Sequence, residues 1–167
     1  MKKEEFLTRL RSKQVMPFDM PAIDINPLTF GDVKRKFIET SEAVGGQVIE
    51  AAKGDNLNAI IRQAYPNAKR FASNVAGISA DINPDSVAEA ADLDGTDVGI
   101  VRGALGVAEN GCIWVPQTMK EKAVCFIAEN LVILLSSKAL VSNMHEAYRR
   151  IEMTDYGFGT FISGPSK

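Results

Sequence analysis

A chain of 167 residues with 46% hydrophobic content carries enough apolar side chain for one core. A chain of this size buries roughly 70% of the surface that its unfolded form exposes. Nineteen basic residues against 21 acidic ones give a net charge of -2 and a pI near 5.5, a balance that offers no electrostatic footprint for nucleic acid or an anionic membrane.

The two cysteines, Cys112 and Cys125, lack CxxC spacing and His145 is the single histidine, which argues against a zinc or iron–sulfur site built from this chain alone. The start, Met1-Lys2-Lys3-Glu4-Glu5-Phe6, lacks the apolar stretch of a signal peptide, and the run Leu131-Val132-Ile133-Leu134-Leu135 is too short to span a bilayer. The expectation is a soluble cytoplasmic protein.

Phe6, Leu7 and Leu10 recur at helical spacing among charges, predicting an amphipathic helix over 3–13 that packs on the main body. Pro17, Pro21 and Pro27 make 15–27 an extended connector, so residues 1–28 read as an N-terminal extension and 29–167 as the main domain. Thr29-Phe30-Gly31-Asp32 starts a helix with Val33, Phe37, Ile38 and Ala43 on one stripe, which Gly45-Gly46 ends. A strand is predicted over 47–51, a helix over 56–64 that stops before Pro66, and a short strand over 69–73.

Asp85 starts a short alanine-rich helix over 85–90, and 97–102 is the next strand. The apolar, β-branched or aromatic segments 123–127 and 130–136 both read as buried strands. A helix over 142–150, starting upstream near Ser137, and a strand over 157–163 complete the pattern. Strands alternating with helices predict an α/β fold with a mostly parallel sheet flanked by helices.

The sharpest chemical feature is Ala108-Glu109-Asn110-Gly111 between two strand-forming runs. A carboxylate at a turn beside a strand end can serve as general base, nucleophile or hydrogen-bond acceptor, making Glu109 the candidate catalytic residue. Asn-Gly is equally the preferred two-residue hairpin connection, in which case Glu109 is the last solvent-facing strand residue. Gly103, Gly106 and Gly111 follow a strand and could bring backbone amides to an anion, although they match neither a dinucleotide nor a Walker loop. Asn110, Gly111, Lys122, Gly164, Ser166 and Lys167 are the candidate ligand-binding residues. Of these, Lys122 is the cation placed to reach an anion near Glu109, while Ser166 and Lys167 follow the last strand. His145 reads as a packed or surface helical residue, and both cysteines as buried apolar ones.

The segments Asp97-Val98-Gly99-Ile100, Gly106-Val107-Ala108-Glu109-Asn110-Gly111-Cys112-Ile113, the strands over 123–135, and Phe161-Ile162-Ser163-Gly164-Pro165-Ser166-Lys167 resemble the LUD domain of lactate-utilization protein C. The resemblance covers most of the second half and thins toward the N-terminus. It implies a sheet-centred fold similar to the sugar-phosphate isomerase and CoA-transferase superfamily. It further implies an accessory role in oxidising lactate to pyruvate beside iron–sulfur and oxidase-like partner proteins, which supply the redox centres. No cofactor is expected within this chain. The family pattern continues past the Gly-Pro-Ser-basic step, which leaves a truncated C-terminus open.

Three functions are consistent with these residues. The first is a LUD-type protein binding a small organic acid or anionic cofactor at the loops bearing Glu109 and Lys167. The second is a CoA-transferase-like enzyme in which Glu109 of the Glu-Asn-Gly step attacks an acyl-CoA thioester. The third is a non-catalytic interaction module.

Overall fold

The protein is described by a computed structural model over residues 2–13, 25–153 and 156–165. Helix α1 (Lys3–Ser12) forms as predicted but buries none of its residues, leaving Phe6 and Leu10 exposed, so the expected packing on the main body is not formed. Most of the connector lies outside the described residues; 25–30 has no regular secondary structure and is tied down where the Asn143 side chain donates to the Leu28 carbonyl at 2.7 Å.

Helix α2 (Val33–Ala43) begins where the Asp32 carboxylate accepts the Arg35 amide, and helix α3 (Leu57–Ala64) begins where Asn56 accepts the Ala59 amide. The stretch 47–51 is irregular and mostly exposed rather than a strand, because none of its backbone joins a ladder. Strands β1 (Phe71–Ser73) and β2 (Val98–Arg102) pair in parallel. Between them the predicted helix over 85–90 is absent and only a 3-10 turn, Ala90–Leu93, is helical. The cap that Asp85 was expected to supply is diverted: its carboxylate accepts the Lys120 amide at 2.8 Å, 35 residues away.

Strands β3 (Leu105–Val107) and β4 (Ile113–Pro116) form an antiparallel hairpin. Residues 124–127, expected as a strand, form the short helix α4 (Val124–Ile127). Its Val124 and Cys125 are buried, and its backbone lies so close to β2 that a Cβ on Gly99 would stand 2.7 Å from the Val124 carbonyl oxygen. An apolar run reads alike as buried helix or buried strand. Strand β5 (Asn130–Leu134) pairs in parallel with β2, followed by the two-residue β6 (Leu140–Val141), helix α5 (Met144–Arg150) and β7 (Gly159–Ile162).

These strands make two sheets: a parallel one in the order β1-β2-β5, and a mixed one in the order β6-β3-β4-β7. The α/β architecture agrees with the sequence pattern, the mixed second sheet being the part that periodicity did not separate. The parallel sheet is packed on both faces. Val98 and Ile100 of β2 with Val132 and Leu134 of β5 point toward Ile61 of α3, whereas Val101, Leu131 and Ile133 point toward Val124 and Cys125 of α4. Side chains alternate across a strand, so a strand covered on both faces is apolar at every position. The mixed sheet packs Leu105, Val107, Trp114 and Val141 against Ala147 of α5.

Candidate functional site

The Glu109 loop is buried at Ala108 and Gly111 and open to solvent at Asn110. Val107 and Cys112 are the last paired residues of the β3–β4 hairpin, the Val107 amide donating to the Cys112 carbonyl at 2.8 Å, so the connection has four residues, 108–111. The expected two-residue Asn-Gly turn does not form. It would need positive φ at both central residues, and among the described residues only glycines have positive φ, Gly111 at +67°. Gly111 is buried against α2, where a Cβ would meet the backbone nitrogen and Cα of Ser41 at 3.0 Å.

The Glu109 carboxylate is directed at α5. Its Oε1 accepts the Met144 amide at 3.0 Å, the first amide of that helix, while its own amide donates to the Ser142 carbonyl. Helix starts leave such amides without partners, and a carboxylate there is also favoured by the helix dipole. Asn143 and Glu146 complete the same end: the Asn143 side chain accepts the Glu146 amide, and Glu146 accepts the Ser142 amide. Asn110 is exposed, but its side chain accepts the Cys112 amide and its carbonyl accepts the Ser163 hydroxyl at 2.9 Å. Gly164, at φ +60°, packs on the Val44 carbonyl at the end of α2. The structure therefore brings Glu109, Asn110, Gly111 and Gly164 together, as interlocked backbone. Ser166 and Lys167 lie outside the described residues.

Lys122 is not part of this cluster. Its Nζ lies 4.2 Å from the centroid of the Phe158 ring, at the opposite end of β7 from Ser163. The four residues of β7 lie between Phe158 and Ser163, a span of about 16 Å at 3.3 Å per residue step. The expected reach of Lys122 to an anion near Glu109 is thereby corrected. The glycine cradle is corrected too: the amides of Gly103, Gly106 and Gly111 donate to the carbonyls of Leu134, Ala139 and Val107, leaving none for a ligand. Both cysteines are buried, and burial pushes each thiol up to about 11. His145 is exposed on α5. Among the described residues no group of three His, Cys, Asp or Glu side chains could hold a metal ion.

An open cleft lies instead at the carboxyl end of the parallel sheet, where α/β folds place ligands. It has a volume of about 280 Å³ and is bounded by the start of α3, the 75–78 turn after β1, Arg102 at the end of β2 and Leu134 at the end of β5. The arginine is exposed and its guanidinium, among the described residues, makes no hydrogen bond or ion pair. The cleft's far wall is built by Asn58, whose side chain donates to the Gly77 carbonyl at 2.9 Å and accepts the Ser79 amide at 2.8 Å. Asp55, on the same rim, accepts the Ala52 amide at 2.7 Å through Oδ2. The sequence held one usable signal for this site, a lone arginine closing an otherwise apolar strand.

A crystal structure of a DUF162 family protein from Deinococcus radiodurans has a similar fold, with a TM-score of 0.66 and 18% sequence identity over 83% of this chain and 90% of that one. DUF162 is the LUD domain family, so the neighbour agrees with the fold expected from the sequence. No family model and no curated protein matches the chain. No helix among the described residues is long and apolar enough to cross a membrane.

Proposed function

We propose that this chain is a LUD-type accessory protein of lactate utilization, acting beside iron–sulfur and oxidase-like partners, and that it binds a small organic acid in the cleft at the carboxyl end of the parallel sheet. The LUD-type reading is supported by the fold of the DUF162 neighbour, and the lactate role rests on the resemblance of the second half to lactate-utilization protein C. The observation that carries the ligand site is Arg102: a guanidinium with no partner among the described residues, at the end of the central strand, on the wall of an open cleft of about 280 Å³. Its planar fork matches a carboxylate bidentately. The Glu109 loop, the site expected from sequence, is less suited because its carboxylate and amides already hold α5 and the hairpin.

Titration calorimetry with L-lactate and pyruvate at low ionic strength tests this reading. Arg102→Gln is expected to weaken binding at least tenfold without changing the unfolding midpoint. Equal affinity in the variant and the parent protein overturns the site.

One observation favours a second reading, acyl transfer to Glu109. Its Oε2 has no partner among the described residues and the side chain is only partly buried, so it could attack a thioester, forming an acyl–glutamyl anhydride and releasing CoA thiolate. Incubation with acyl-CoA and hydroxylamine should then convert Glu109 to its hydroxamate, detectable by peptide mass; an unmodified Glu109 ends that reading.

A further inference from the structure

The Glu109 loop contains a second reactive group, the Asn110-Gly111 step. With no side chain on Gly111, its nitrogen meets little steric resistance to closing on the Asn110 side-chain carbonyl carbon, Cγ. Asn110 is exposed and Gly111 is buried, so the amide that would leave faces water and the nitrogen that would attack does not. Three hydrogen bonds hold the pair in place. The Gly111 amide donates to the Val107 carbonyl at 2.9 Å, Asn110 Oδ1 accepts the Cys112 amide at 3.2 Å, and the Asn110 carbonyl accepts the Ser163 hydroxyl at 2.9 Å. The first two are made within the loop and its flanks, whereas the third comes from the end of β7, 53 residues away. Beside it Gly164 packs on the Val44 carbonyl, which fixes the chain that carries the Ser163 hydroxyl.

We propose that Asn110-Gly111 is a deamidation site latched by the end of β7, and that conversion runs from a local opening in which Ser163 releases the Asn110 carbonyl. Such an opening leaves the ladders that pair β3 with β4 and β4 with β7 intact, so it lies below global unfolding in free energy. In the open loop the Gly111 nitrogen gives its proton to base and attacks Asn110 Cγ. The C–N bond of the side-chain amide breaks, ammonia leaves, and a five-membered succinimide remains. Water then adds to one of its two carbonyls and reopens the ring to aspartate or isoaspartate. No oxidant, metal or further reactant takes part. Either product sets a new carboxylate next to that of Glu109 in sequence, and isoaspartate also adds a methylene to the main chain of the four-residue connection. The loop then no longer fits the contacts that latched it, and the change is one-way.

The experiment incubates the full chain in mildly alkaline buffer, folded and in guanidinium chloride, and follows the mass of the tryptic peptide 103–120 together with enzymatic methylation of isoaspartate. The folded parent is expected to convert at least tenfold more slowly than the unfolded chain. Ser163→Ala is expected to convert at least threefold faster than the parent while folded, and Ser163→Thr, which keeps a hydroxyl, to restore the parent rate. Hydroxylamine, which cleaves at a succinimide, should cut the chain before Gly111 in the same order of rates. Val124→Ala weakens the core of the other sheet without touching the loop and is expected to leave the folded rate unchanged. Asn110→Gln should abolish the product. Equal rates in the folded and unfolded parent overturn the latch, as does an unchanged rate in Ser163→Ala. Acceleration by Val124→Ala as large as that by Ser163→Ala, at an equal loss in unfolding midpoint, overturns the local opening. No conversion even in guanidinium chloride overturns the site.

Discussion

The two strand-end regions of this molecule contain similar residues and put them to opposite uses. At the Glu109 loop a carboxylate, an asparagine and a glycine are consumed by backbone: Met144, Cys112 and the α2 helix take them. At the carboxyl end of the parallel sheet, the Arg102 guanidinium has no partner among the described residues and lines an open cleft. A charge at a strand end therefore marks a site only when the backbone has not already claimed it. The chain applies its acids to backbone repeatedly. Asp81 accepts the Phe71 amide, Asp92 those of Ala88 and Glu89, and Asp97 those of Lys69 and Arg70. Glu109 belongs with these.

That contrast breaks most visibly at Gly111. Gly111→Val places a β-branched side chain at φ +67° and drives its Cβ into the Ser41 backbone, for a loss of roughly 2–5 kcal/mol from left-handed strain and overpacking together. Urea unfolding reads the loss. A variant as stable as the parent would show that the loop is not the closed structure described. Glu109→Ala comes next: the Met144 amide loses its acceptor, at a cost of about 1 kcal/mol, comparable to loss of a helix cap. Glu109→Gln should recover part of this. Neither should alter carboxylate affinity at the cleft, and a tenfold loss of binding in Glu109→Gln would erase the distinction between the two regions.

Asp97 sharpens the same point through pH. The two amides donated by Arg70 and Lys69, at 2.8 and 2.6 Å, hold its carboxyl below the usual value. Its contribution is then complete above the unfolded carboxyl pKa of about 3.9 and is lost as pH falls through the lower folded value. Asp97→Asn should flatten the acid limb of the stability curve below about pH 4. An unchanged limb would mean that this carboxylate is not engaged by backbone as Glu109 is.

What could be read in the sequence depended on whether the cause was local. Asp32 and Asn56 announce α2 and α3 because a cap acts within three residues. The runs over β2 and β5 announce buried strands because both faces of that sheet are covered. The apolar run of α4 carries no such signature, and β6 is two residues long, too short for any period to register. The contact that Glu109 makes is not legible in the sequence for a physical reason: the amide it caps lies 35 residues downstream and meets it only after β3, β6 and α5 have assembled. The Arg102 cleft is hard to read for the complementary reason, since four separate segments form it and the arginine closing β2 is the one signal among them.

The smallest expected effect tests how tightly the closed region is matched to its neighbours. Ser41 is buried beneath Gly111, and its hydroxyl, like that of Thr40, has no hydrogen-bond partner among the described residues. A helical serine ordinarily bonds the carbonyl one turn back, which for Ser41 would be that of Phe37. Burying a hydroxyl without a partner costs free energy, whereas replacing it by hydrogen removes the cost together with the atom. Ser41→Ala should therefore be neutral or stabilising by about 0.5–1 kcal/mol, at the low end of the penalty for an unpaired polar group. A loss of 1 kcal/mol or more, about the typical net worth of one hydrogen bond, would mean that the hydroxyl does bond in solution. The Glu109 region would then contain a polar contact, with bound water or with a ligand, that its closed backbone does not reveal, and the division between a structural end and a binding end would have to be redrawn around Ser41.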